Sequence, residues 1–172
     1  MNVHEAIRNR RSVRAYAGKP IPEKVMERMR AALRSAPSAC NLQPWRFILV
    51  LDEKLRRDVA QAANGQNWMA DAPVIVVACG LPAEAYKKMG GAGNSVEVDV
   101  SIAVDHLTLA AAAEGLGTCW IGAFDPQKTR EILGIPSEVE VVELLPLGYP
   151  RDPAPVEKSR LPMDTIVHRE RW

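Results

Sequence analysis

At 172 residues the chain has the length of one domain, with enough material for a hydrophobic core that needs no disulfide or metal staple. Hydrophobic residues make up 47% and charged residues 25%, with a formal net charge of +1, which excludes a disordered polyelectrolyte, a fibrous chain and a generally basic nucleic-acid binder. No segment approaches ~18 uninterrupted apolar residues, and "MNVHEAIRNRR" lacks the apolar run of a signal peptide, so no membrane association is expected and the chain reads as cytoplasmic.

The charge is uneven. Met1 to Arg34 carry nine basic residues against three acidic ones, and four of those arginines crowd into "RNRRSVRAY". Just before it, Asn2 and Glu5 form a capping-box pattern, and Val3, Ala6 and Ile7 follow at helical spacing, predicting a helix to about Arg10. A second helix is predicted from Pro22, with proline in its first turn and Val25, Met26, Met29 and Leu33 as one apolar stripe. It stops before "SAPSACNLQP", where Pro37 and Pro44 restrict the residues that precede them.

"RFILVL" (Arg46 to Leu51) reads as a buried strand, and Asp52 then caps a helix to about Ala63. "PVIVVACG" (Pro73 to Gly80) is a second buried strand, followed by a glycine-rich loop, "MGGAGNS", that lacks both the phosphate-loop and the dinucleotide fingerprints. From Ser95 to Leu116 runs the longest helical signal, apolar around most of its circumference, as expected of a helix buried by neighbours or by a partner subunit, with Gly115 and Gly117 at its end. "TCWIGAF" reads as a strand, Asp125-Pro126 starts a short helix, "EVEVVELLPLGY" is another strand, and the proline-rich tail from Pro150 reads as extended. Strands alternating with helices predict a layered α/β or α+β domain whose strand sense is open.

Nucleophilic and metal chemistry find no support. His4, His106 and His168 are dispersed, H-E-x-x-H and G-x-S-x-G are absent, and Cys40, Cys79 and Cys119 are far apart and read as buried reduced thiols. His106 reads as a core or interface histidine, while Asp99 and Asp105 on the apolar helix must each be exposed or hydrogen-bonded. Two basic clusters remain, namely Arg10, Arg11, Ser12 and Arg14, and then Lys158 with Arg160 in the tail. Alternate residues of an extended segment point the same way, so Lys158 and Arg160 can converge on one anion, and guanidinium groups suit a terminal phosphate. Solvated surface charge is the alternative. Between the clusters, Ser38, Asn41 and Gln43 sit in a proline-bracketed loop that either presents polar groups to a planar ligand or is simply a polar turn.

Four stretches in order, "RRSVRAY", "APSACNLQPWRF", "GLGTCWIGAF" and "LGYP...EKSRLP", cover nearly the whole chain and together resemble the nitroreductase family of flavin mononucleotide (FMN) dependent oxidoreductases. The resemblance implies an α+β fold, a central mixed but mainly antiparallel sheet flanked by helices, with residues 1–172 as a single flavin-binding domain. It implies an intertwined homodimer with FMN at the subunit interface and the long helix in the dimer core. Arg10, Arg11 and Ser12 match the family's first phosphate and ribityl contacts, Arg14 the cation near the pyrimidine edge, and Lys158 and Arg160 the second phosphate pair. Pro37, Ser38, Asn41 and Gln43 resemble the loop laid on the flavin by the other subunit. Ile121 and Gly122 would offer backbone groups near flavin N5 and O4, with Trp120 lining the pocket.

The implied activity is transfer of hydride from NADH or NADPH, by a ping-pong cycle, to nitro-compounds, quinones or a similar electron-poor small molecule, with no catalytic side chain and no metal. The alternative is a specialised or sensor-like flavoprotein with little NAD(P)H turnover. The chain is shorter than the best-known members, chiefly between "PVIVVACG" and the long helix, which implies a more open flavin face. Asn64, Gln66 and Asn67 fall where larger members contribute flavin contacts.

Overall fold

Asn2 starts the first helix, α1 (Val3–Asn9), with a complete capping box: its side chain accepts from the Glu5 N–H at 3.0 Å, and the Glu5 carboxylate accepts from the Asn2 N–H at 2.9 Å. The computed structural model describes residues 1–91, 93–154 and 157–172; Ala92 of the expected glycine-rich loop and Pro155 and Val156 of the expected extended tail lie outside the described residues. The second helix, α2 (Glu23–Arg34), begins one residue later than expected, because Pro22 is its N-cap rather than part of its first turn. Its stripe of Val25, Met26, Met29 and Leu33 is buried as the spacing requires.

A tight turn at Ala39–Asn41 leads into β1 (Trp45–Val50). Asp52 caps α3 (Glu53–Ala62) by accepting from the Leu55 N–H at 2.9 Å. Then follow β2 (Val74–Gly80), α4 (Val96–Ala113), β3 (Gly117–Thr118), α5 (Pro126–Leu133), β4 (Glu140–Gly148) and α6 (Met163–Ile166). The tail, expected to be extended, thus contains one helical turn.

The strands form one sheet in the order β1-β2-β4-β3, and all its pairings are antiparallel. Trp45 lies opposite Gly80, and Val74 opposite Leu147, with a bulge at Ala78/Cys79. Every residue of β2 is buried, which explains its unbroken apolar run. On one face α2 and α4 cover Val74, Val76, Ala78, Leu145 and Leu147, while on the other Val59, Ala60 and Ala63 of the α3 region cover Ile75, Val77 and Leu144.

The strand expected over "TCWIGAF" is cut short. Gly117 and Thr118 pair with Gly148 and Leu147, and Ile121 pairs again with Leu144 in the same register, but of the two positions between them the first puts Cys119 opposite Pro146, where no ladder bond forms. Proline has no N–H to donate, so the ladder breaks there. Of the three cysteines expected to be buried, Cys79 and Cys119 are, whereas Cys40 is exposed at the tip of a turn with a φ of 51°. Among the described residues no helix is long and apolar enough to cross a membrane.

Candidate functional site

The chain leaves α1 at Arg10 in extended conformation and runs beside β3, where the Val13 N–H donates to the Thr118 carbonyl at 2.9 Å and Ser12 bridges Thr118. Gly117 permits this approach, since a Cβ there would lie 2.4 Å from the Val13 side chain. From the other end of the chain, the Lys158 ammonium donates to the carbonyls of Ile7 at 3.2 Å and Arg10 at 3.0 Å, groups that the end of α1 leaves without helical partners. Arg11 reaches across in turn to the Asp152 carbonyl.

The two termini thereby enclose a cleft of about 790 Å³ that gathers Arg10, Arg11, Lys158 and Arg160, floored by Thr118 of β3 and by Thr108, Ala112 and Gly115 at the end of α4. Glu157 also lines it, yet among the described residues none of the four cations makes an ion pair with a carboxylate. Burial lowers the Lys158 pKa below its ordinary value, and the neighbouring charges of Arg10 and Arg160 lower it further. Such a cluster repels itself and is relieved by a polyanion, so its donor set fits a terminal phosphate.

Ser12 and Arg14 follow on the extended segment that leads out of this cleft, both exposed. Cys119 lies beside them, its thiol pKa raised by burial and partly offset by the Arg14 charge and the Ser12 hydroxyl. Beyond it, Trp120 is half-buried against α4, where it borders a second cavity of about 630 Å³ with Val98, Ile102, Asp105 and His106. The Ile121 backbone is already engaged on both sides, its N–H to the Leu144 carbonyl at 3.0 Å and its carbonyl to the Leu144 N–H at 3.3 Å. Gly122 faces open space, with nothing within 4 Å of where a Cβ would stand.

Pro37, Ser38, Asn41 and Gln43 do not join this cleft. Their loop is bound at Asp99 in the first turn of α4, whereas the nearest residue of that helix in the cleft is Thr108; at about 1.5 Å per residue the two places are about 14 Å apart along the helix. Asn64 has a φ of 55°, and Gln66 donates to the Ala123 carbonyl at 3.3 Å, which anchors that turn next to Gly122. Asn67 instead lines a separate cavity with Arg56, Arg57 and Arg151.

One group escaped sequence reasoning, and another gained a partner that the sequence did not name. Asp99 is 2% exposed and hydrogen-bonded, which satisfies the alternatives set for it but gives it a specific partner in the loop. Glu143, on the sheet position opposite Ala78, has a buried carboxyl oxygen, Oε1, without a partner among the described residues. Burial pushes its pKa up to about 7, opposed in part by the Ile121 N–H. A carboxylate in the apolar run "VVELLPL" was the only available signal for it.

Known proteins carry the same framework. A Thermus thermophilus protein named NADH dehydrogenase is 31% identical, covering 97% of this chain and 95% of its own. A Bacillus subtilis protein named FMN reductase [NAD(P)H] is 30% identical over 99% of this chain and 74% of its own. The crystal structure of a nitroreductase family protein from Clostridium difficile superposes with a TM-score of 0.89 at 29% identity, covering 100% of both chains. The sequence profile of the nitroreductase family matches residues 7–68 and 60–149, a span that holds the arginine segment, the whole sheet and the long helix, and the chain belongs to that family.

Proposed function

We propose that this protein is an FMN-dependent oxidoreductase that draws reducing equivalents from NADH or NADPH and delivers them to nitro-compounds, quinones or a similar electron-poor small molecule. The observation that carries the proposal is the cationic cleft built from both ends of the chain, which holds Arg10, Arg11, Lys158 and Arg160 together without an ion-paired carboxylate among the described residues. The names of the Thermus and Bacillus relatives support the donor and the flavin. When bound, the flavin supplies the hydride acceptor and donor of the reaction.

The protein's own residues then bind and orient. Arg10, Arg11, Lys158 and Arg160 hold the phosphate by charge-assisted hydrogen bonds, and Ser12 follows at the ribityl chain. Arg14 provides positive charge toward the pyrimidine edge, which favours a reduced, more negative ring. Ile121 spends its backbone groups on Leu144, so its role is to hold the segment in place, and Gly122 offers the open backbone edge. Trp120 lines the pocket. No side chain is required as an acid or base, and a single open face serves donor and acceptor in turn, which is ping-pong kinetics.

The loop of Pro37, Ser38, Asn41 and Gln43 lines no part of its own chain's cleft and is tied to α4 about 14 Å along the helix from Thr108, the nearest α4 residue of that cleft, which supports a role at a site completed by a second copy. Exposed Val98 on α4 and Leu161, Met163, Ile166, Val167 and Trp172 in the tail supply apolar surface for a homodimer. The test is an absorbance spectrum of the purified protein from about 300 to 550 nm, followed anaerobically with NADH and then NADPH. Flavin bands that bleach are the expected result. Bands that persist with both donors favour the sensor-like alternative, and a colourless protein that fails to take up added FMN overturns the proposal.

A further inference from the structure

The segment from Ser38 to Gln43 holds an unusual backbone. Cys40, Asn41 and Gln43 have φ values of 51°, 57° and 52°, in the left-handed region that side chains with a Cβ seldom occupy. Local bonds brace it: the Gln43 N–H donates to Ser38 Oγ at 2.9 Å, and the Asn41 N–H to the Ser38 carbonyl at 3.0 Å. Those bonds shape the loop but do not fix it to the rest of the protein.

The anchor comes from α4. The Asp99 carboxylate accepts from the Ala39 N–H at 2.9 Å through Oδ1 and from the Ser95 hydroxyl at 2.6 Å through Oδ2. Ser95 is itself buried, its Oγ accepts from the Tyr86 N–H at 3.2 Å, and its N–H donates to the Tyr86 carbonyl at 3.0 Å. One carboxylate thus joins three segments: the left-handed loop, the start of α4 and the chain at Tyr86, within the short stretch between β2 and α4. A buried carboxylate is costly unless bonded, and placement in the first turn of the helix stabilises its charge further. An apolar residue would fill the same space without that cost.

We propose that Asp99 is a positioning residue that holds the Ser38–Gln43 loop and the Tyr86 segment as one unit against the flavin of a second copy. This rests on the FMN reading above. Asp99 is buried, and it acts through the Ala39 and Ser95 bonds. The loop can present Asn41 and Gln43, both exposed, in one geometry only while Ala39 is tied.

The test compares Asp99→Ala, which removes both acceptors, with Asp99→Asn, which retains a carbonyl oxygen for Ala39. Two quantities are read on the full-length protein: hydrogen exchange of the amides of residues 37–45, and the FMN dissociation constant by quenching of free-flavin fluorescence. Loss of charge-assisted hydrogen bonds predicts at least about tenfold faster loop exchange and about tenfold weaker FMN binding for Asp99→Ala, with Asp99→Asn recovering most of both. Should Asp99→Ala fail to fold, Ser95→Ala removes one of the two bonds and is expected to speed exchange at both the loop and Tyr86.

Mixed dimers identify which site the loop serves. An Asp99→Ala chain paired with an Arg11→Ala/Arg160→Ala chain retains one working cleft, which faces an intact loop, and wild-type FMN affinity is expected there. A persisting defect overturns the assignment to the second copy. Unchanged loop exchange in Asp99→Ala, or faster exchange with unchanged FMN affinity, overturns the positioning role. If the wild-type protein binds no FMN, the functional reading fails, and the exchange data alone decide whether Asp99 is the tether.

Discussion

Glu143→Gln should make the protein more stable at alkaline pH and leave it unchanged in acid. The wild-type carboxyl is pushed by burial up to about 7 and has an oxygen without a partner among the described residues. Its pKa is raised in the folded state, so the folded protein retains a proton that the unfolded chain has released. Stability from this group is therefore fully present below the unfolded value near 4.5 and is lost as the pH rises to about 7. At 1.36 kcal/mol per pH unit the ceiling is about 3.4 kcal/mol, and because the side chain is partly solvated we discount this to about 1–2 kcal/mol. For a chain of this length that corresponds to roughly 2–8 °C in Tm. Thermal unfolding at about pH 4 and pH 8, with FMN at one fixed saturating concentration, separates the two states of the group. An equal gain at both pH values, or none at pH 8, refutes the assignment of a strained carboxylate to this position.

If Arg11 and Arg160 hold the phosphate as proposed, replacing both with alanine removes two charge-assisted contacts of about 1.5–3 kcal/mol each, so FMN affinity should fall by roughly 10²–10⁴-fold, measured by retention on ultrafiltration; full yellow occupancy after dialysis contradicts it. Gly117→Ala places a Cβ 2.4 Å from the Val13 side chain and must push the arginine segment from β3, costing about 1–3 kcal/mol in urea unfolding and weakening FMN binding in parallel. Asp125→Ala removes the acceptor of the Gln127 and Lys128 N–H groups at the start of α5 and should cost about 1 kcal/mol with no change in FMN affinity, because α5 does not line the cleft. Light scattering should give twice the chain mass for the wild type, and a monomer that binds FMN normally would contradict the shared site.

The elements were legible because their causes are local. Asn2, Asp52 and Asp125 announce helix starts through bonds to N–H groups two or three residues away, and the run from Val74 to Gly80 is apolar because both faces of β2 are covered. The phosphate candidates were legible as residue types, and their order along the chain carried the family resemblance. Tertiary structure decided where they meet: Lys158 reaches Arg10 only because the tail returns to the end of α1, and no periodicity encodes that closure. It also decided the fate of "TCWIGAF", since the missing N–H of Pro146 interrupts pairing only on the edge of β4 that faces Cys119. Asp99 and Glu143 make the same point with a single residue type. Both are carboxylates in apolar stretches, yet one binds an N–H and a hydroxyl while the other leaves an oxygen alone, because a side chain's neighbours in space depend on how separate elements pack.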